Sequence, residues 1–185
     1  SKDIILHLIS KYGANGANGH AIEFRGKAID EMSIESRLTL CNMAVEFGAM
    51  TGIISPDKKT IDYISGKPFA PKDEEQKLAE DYWTKLKSDD DAHFSKVIEV
   101  DASKLNTYVT WGTSPEHAIE IEEIIPTVNP SNSKRENESI QRALDYMGLK
   151  ESDAIKGTKI DAAFIGSCTN SRLSDLRLSL IHISE

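Results

Sequence analysis

HAIEFRGKAIDEMSIESRLTLCNMAVEFGAMTGIIS, residues 20–55, is the stretch whose reading decides the fold class. His20 to Gly26 alternate in polarity and predict a strand. Ser33 or Ser36 is a fitting N-cap for a helix expected to run to about Met50. GIIS, residues 52–55, then reads as a short buried strand closed by PDKK. Strand, helix, strand in that order predicts a parallel pair and an α/β layered unit.

Working outward, residues 2–12 set Ile4, Ile5, Leu8 and Ile9 on one helical face. GANGANG, residues 13–19, stops that helix. It lacks the Lys-Ser/Thr of a P-loop and the spacing of a dinucleotide fingerprint, so it reads as a plain helix-to-strand connection. A second helix is expected over Thr60–Ser65. Residues 74–91 predict a charged amphipathic helix with Leu78, Tyr82 and Leu86 on one face, its acids solvated. A boundary near Ser88–Ser95 divides a first lobe, 1–90, from a second, 91–185. In the second lobe, 96–103 and a buried Lys159–Ile165 are expected strands. Residues 131–139 are an expected polar loop, ESIQRALDYMGLK (138–150) a helix ending at Gly148, and Thr169 the start of another helix.

The chain has 185 residues, with 39% hydrophobic and 28% charged, the composition of an ordinary globular protein. A net charge of −8 argues against nucleic acid as a partner. No apolar stretch is long enough to span a bilayer and nothing resembles a signal peptide, so no membrane is expected. Two cysteines, Cys41 and Cys168, make no disulfide framework, which favours a reducing cytoplasm. The Ser1 start suggests a trimmed end or a piece of a longer protein.

Two places carry candidate chemistry. Between Arg37 and Lys58 there is no Lys or Arg, and the only acids are Glu46 and Asp57. A helix of that composition is expected to be buried on most sides. Asn42 and Glu46, four apart, then share a face. A buried Glu46 needs a partner; otherwise it sits at an edge and reaches water. Cys41 reads as a small buried apolar residue. The second place is FIGSCTNSR, residues 164–172, where an apolar run breaks into small polar residues around Cys168. A loop between a strand's carboxyl end and a helix start is where α/β proteins bind ligands, and the helix field stabilises a thiolate. That thiol could be a nucleophile, a metal ligand or inert. His7, His20, His93, His117 and His182 show no pairing signal with it.

GSCTNSR followed by DLR resembles the first cluster-cysteine motif of the aconitase superfamily of iron–sulfur hydro-lyases. LTLCNMAVEFGAMTGIISPD resembles that superfamily's Asn-Met-x-x-Glu helix. IEFRGKAIDEMSIESR, VTWGTSPEH and ALDYMGLK narrow the resemblance to the isopropylmalate dehydratase large-subunit family, from about Lys2 to Arg177. The resemblance implies layered α/β/α domains, incomplete here. It implies a [4Fe–4S] cluster, with Cys168 as first cluster and metal ligand and Asn170 hydrogen-bonding around it. Asn42 would face cluster and substrate, and Glu46 would orient a catalytic histidine. The implied reaction isomerises a small diacid, 2-isopropylmalate, by losing and regaining water in leucine biosynthesis.

The family's other two cluster cysteines lie in a Gly-Cys-x-x-Cys motif that this chain lacks, and a separate small subunit completes the substrate pocket. An internal piece, inactive alone and with exposed apolar surface, is therefore expected. The last residues, LSLIHISE (178–185), depart from the family's alanine-rich helix and read as a non-native tail. A sister hydro-lyase, such as homoaconitase or a methylmalate/citraconate isomerase, shares the same motifs. A non-catalytic truncated module is the reading from another class.

Overall fold

The computed structural model describes residues 1–167 and 169–183. Helix α1 (Lys2–Tyr12) buries Ile5, Leu6, Leu8 and Ile9, the face that periodicity sets. It ends at Gly13, whose positive φ of 80° needs no Cβ and whose N–H bonds Ile9 O at 2.7 Å. Strand β1 (Ala21–Glu23) follows, then α2 (Lys27–Glu31) and α3 (Ile34–Met43). Of the two candidate caps for α3, Ser33 is the one used, its hydroxyl accepting from Ser36 N. Strand β2 (Thr51–Ile53) pairs parallel with β1, Ile22 opposite Gly52. The strand–helix–strand reading thus holds, and the chain is α/β.

Beyond it lie α4 (Lys58–Ile64) and α5 (Asp73–Trp83). Strands β3 (Tyr108–Thr110) and β4 (Ala118–Glu120) form an antiparallel hairpin. Helix α6 is Lys134–Met147 and α7 is Leu173–Ile183. One core gathers Ile5, Leu8 and Ile9 of α1, Leu40 and Met43 of α3, Phe47, and Ala118 of β4, with Ile98, Val100 and Tyr108 packed against it. A smaller core joins Trp111, Ile119 and Ile125 to Ala143 and Leu144 of α6.

The glycine-rich 13–19 loop has a packing role. Gly16 lies against the Phe47 ring, and Ala17 N–H bonds Phe47 O at 3.0 Å. The loop thereby wraps the corner where α3 gives way to β2.

Four expectations are corrected. Residues 96–103 form no strand, only a 3₁₀ turn at Ala102–Lys104, because Ile98 and Val100 pack on the α1–α3 core without a neighbouring strand to pair with. Residues 159–165 are likewise not a buried strand, with Phe164 90% exposed. An apolar run becomes a central strand only where backbone partners flank it, and none does among the described residues. Of the polar 131–139 segment, only 131–133 lie outside α6, and 134–139 form its opening turns. Ser133 and Glu136 close a capping box there, which turns polar residues into a helix start. Finally, α7 begins at Leu173 rather than Thr169, its first turn tied by Arg172 N–H to Asp175 Oδ2 at 3.0 Å.

Arg37 is the structural hub of the first half. It is buried, and it donates from Nε to Ile29 O at 3.2 Å and from Nη2 to Asp30 O at 3.0 Å and Asp57 Oδ2 at 2.6 Å. Asp57 also caps α4 through Thr60 N–H at 3.0 Å. The Arg37 hydrogen bond is the main cause holding the Asp57 carboxyl at about 2, below its ordinary 3.8. A carboxyl whose folded pKa is depressed stabilises the fold above its unfolded pKa and loses that contribution as pH falls through the folded value. The window here runs from about pH 4 down to about pH 2. Water reaches 37% of the Asp57 side chain, so the contribution is about 1 kcal/mol. Urea unfolding should show the gap between this chain and Asp57→Asn narrowing by about that amount between pH 5 and pH 2. A gap that stays constant would contradict this account.

Candidate functional site

Helix α3 stops at Met43, short of the expected Met50. Residues 44–48 form a tight turn with Phe47 N–H bonded to Ala44 O at 3.2 Å and Gly48 N–H to Val45 O at 2.9 Å. The cause is the turn-back into β2. Phe47 must enter the core, Gly48 takes φ +89°, and Gly52 of β2 lies directly over Cys41 and Ala44. Asn42 is therefore on the last helical turn and exposed, while Glu46 lies two residues past the Ala44 C-cap and is half-buried. They do not share one continuous helix face.

Nor is α3 buried on most sides. Leu38, Asn42 and the Val45 that follows are exposed, while Arg37, Thr39, Leu40 and Met43 are buried. Glu46 has no side-chain hydrogen bond or ion pair among the described residues, so it is the edge carboxylate that reaches water. Cys41 is half-buried, and burial pushes its thiol up, which disfavours the thiolate a metal needs. That fits its reading as a packing residue.

Cys168 lies outside the described residues. Its flanks are described. Ser167 holds φ +140°, a region that non-glycine residues rarely occupy. Thr169 is buried, and its carbonyl accepts two bonds, one from across the molecule and one from within the loop. Thr39 Oγ1 donates to it at 3.2 Å and Arg172 Nη1 at 2.5 Å. Arg172 Nη1 also donates to Thr39 Oγ1 at 2.9 Å. Ser171 Oγ closes the loop on Ser167 O at 2.7 Å. The loop carrying the cysteine motif is thus docked on α3 at Thr39, one helical turn before Asn42. Two stretches more than a hundred residues apart in sequence meet through Thr39 and Arg172, neither of which the sequence singles out. The available signal was a hydroxyl inside an otherwise apolar helix turn, which needs a partner once buried.

Asn170 is half-buried, with Oδ1 sealed from solvent and lacking a partner among the described residues. A sealed polar atom without a partner costs about 1–3 kcal/mol. Its amide can offer either a donor or an acceptor to a group placed there. His7 bonds Tyr108 Oη at 2.8 Å and His20 bonds Asn18 O at 2.8 Å, while His117 stacks on Trp111 with its buried Nδ1 lacking a partner among the described residues. His93 is exposed, and the side chain of His182 lies outside the described residues.

The residues present fit one corner of an iron–sulfur site: small side chains, a sealed amide oxygen without a partner among the described residues, and a pinned backbone. They do not fit the whole of it. No three His, Cys, Asp or Glu side chains come together to hold a metal among the described residues.

The chain is 47% identical over 177 residues to the 3-isopropylmalate dehydratase large subunit of Psychrobacter cryohalolentis, covering 96% of this chain and 38% of that relative. It therefore spans well under half the length of the protein it matches. The pattern of the aconitase family (aconitate hydratase) matches residues 1–183. With that pattern covering nearly all of its 185 residues, this chain belongs to the aconitase family.

Proposed function

We propose that this chain is part of the large subunit of a hydro-lyase that converts 2-isopropylmalate to 3-isopropylmalate by loss and return of water, in cytoplasmic leucine biosynthesis. The observation that carries this reading is the 47% identity to a dehydratase large subunit across nearly the whole chain. The docking of the cysteine-motif loop on α3 supports it, because it brings Thr169 and Asn170 to the helix of Asn42.

In this reading Cys168 is one of three thiolate ligands to a [4Fe–4S] cluster, and the other two come from outside this chain. The cluster, when bound, supplies Lewis acidity toward a hydroxyl leaving group. Asn170 turns its unpartnered amide toward that group. Asn42, exposed on the last turn of α3, lines the substrate side. Glu46, with no partner among the described residues, accepts a hydrogen bond from a histidine supplied elsewhere in the large subunit and holds that ring in place. A small subunit closes the pocket around the diacid. The chain alone is inactive.

Anaerobic assay of the protein containing this chain, with its small subunit, tests the reading. Conversion of 2-isopropylmalate ahead of homoaconitate, methylmalate and citraconate substrates is expected. Preference for another diacid, or no conversion at full iron occupancy, would overturn it.

A further inference from the structure

We propose that Thr39 and Arg172 are positioning residues: together they lock the Thr169–Arg172 loop onto α3 and so fix its placement relative to Asn42. The inference rests on the reading of this loop as the ligand-bearing one, but its geometry stands apart from any activity.

Three hydrogen bonds form a closed triangle. Arg172 Nη1 donates to Thr39 Oγ1 at 2.9 Å and to Thr169 O at 2.5 Å, and Thr39 Oγ1 donates to the same carbonyl at 3.2 Å. Every corner is at least partly withdrawn from water. Thr39 is 1% exposed, Thr169 5%, and Arg172 half-buried. Hydrogen bonds from a charged donor in such surroundings are among the stronger ones. Arg172 forms no ion pair with a carboxylate among the described residues, so its side-chain bonds go to this loop and helix rather than to an acid. The loop has little else to hold it. Ser167, Ser171 and Leu173 are exposed, and residues 159–165 before it pair with no strand. Without the triangle, the register of Thr169 and Asn170 on α3 would rest on short local bonds such as Ser171 to Ser167.

Thr39 is also the right residue for the task. Its hydroxyl both accepts from the guanidinium and donates to the carbonyl, which neither valine nor alanine can do. Serine keeps both functions, so rescue by serine separates positioning from packing.

The test is amide hydrogen exchange by NMR on this chain without iron. Thr39→Val and Arg172→Gln should each speed exchange at the loop's hydrogen-bonded amides, Thr169 (to Ser167 Oγ at 3.5 Å) and residue 172 (to Asp175 Oδ2 at 3.0 Å), by about three- to tenfold, the effect of one or two hydrogen bonds. Ile9 and Leu40, deep in the main core, should be unchanged. Thr39→Ser should restore the slow rate. The double variant should be no faster than the faster single one, because both remove the same triangle. Unchanged exchange at Thr169 and residue 172 in both variants would overturn the proposal. So would an equal rise at Ile9 and Leu40, or failure of serine to rescue. Because the readout needs neither iron nor substrate, its failure is distinguishable from failure of the hydro-lyase reading.

Discussion

Replacing Arg37 with alanine should cost about 3–5 kcal/mol of folding stability, the largest effect expected of any single change in this chain. The guanidinium is 5% exposed and satisfies three acceptors at once: the carbonyls of Ile29 and Asp30 at the end of α2, and the Asp57 carboxylate that caps α4. Truncation removes the donor from all three and opens a cavity beside α3. Surface pairs such as Lys58–Asp62 are of another order, about 0.3–0.5 kcal/mol. Arg37→Lys keeps the charge but offers a compact head in place of a planar fork. It should recover less than half of the loss. Urea denaturation of the three proteins at pH 7 checks this, and an alanine variant within about 1 kcal/mol of the parent would refute the hub.

The second large effect belongs to Gly16→Ala, expected to cost about 3 kcal/mol, at the upper end for overpacking. A Cβ at Gly16 would sit 2.1 Å from Phe47 Cε2, 2.6 Å from Phe47 Cζ and 3.0 Å from Tyr12 Cβ. Phe47 is 2% exposed and cannot swing into water. The neighbouring backbone is also committed, since Ala17 N–H bonds Phe47 O and Gly48 lies against Ala14 O. Phe47→Leu in the Gly16→Ala background should recover part of the loss, since a smaller side chain vacates the space. Thermal and urea unfolding of the single and double variants measure that coupling. Strictly additive losses would contradict the contact.

Sequence reached the framework where local chemistry agreed with tertiary packing. The apolar stripe of α1, the Ser33 cap, the parallel β1–β2 pair and the left-handed Gly148 C-cap were all legible in this way. It failed where distant contacts decide. The end of α3 depends on Phe47 meeting Gly16, some thirty residues earlier in the chain, and no helical periodicity reveals that. The apolar 159–165 run has strand composition, but strand structure belongs to a ladder of partners rather than to one segment. At the site, the Cys168 motif and the Asn42 helix were legible as separate pieces. Their meeting through Thr39, Thr169 and Arg172 spans 130 or more residues and became visible only in three dimensions. Glu46 shows the same limit. Composition left Glu46 either buried with a partner or at an edge in water, and the early turn at Ala44 is what decides for the edge.

The central claim is that this chain carries one corner of an iron–sulfur site whose other corners lie outside it. Anaerobic reconstitution of the isolated 185-residue chain with iron, sulfide and thiol, followed by iron counting and assay on 2-isopropylmalate, tests that claim most directly. The account predicts loosely held, substoichiometric iron and no isomerisation. A stable four-iron cluster on each chain, with conversion of the substrate, would contradict it.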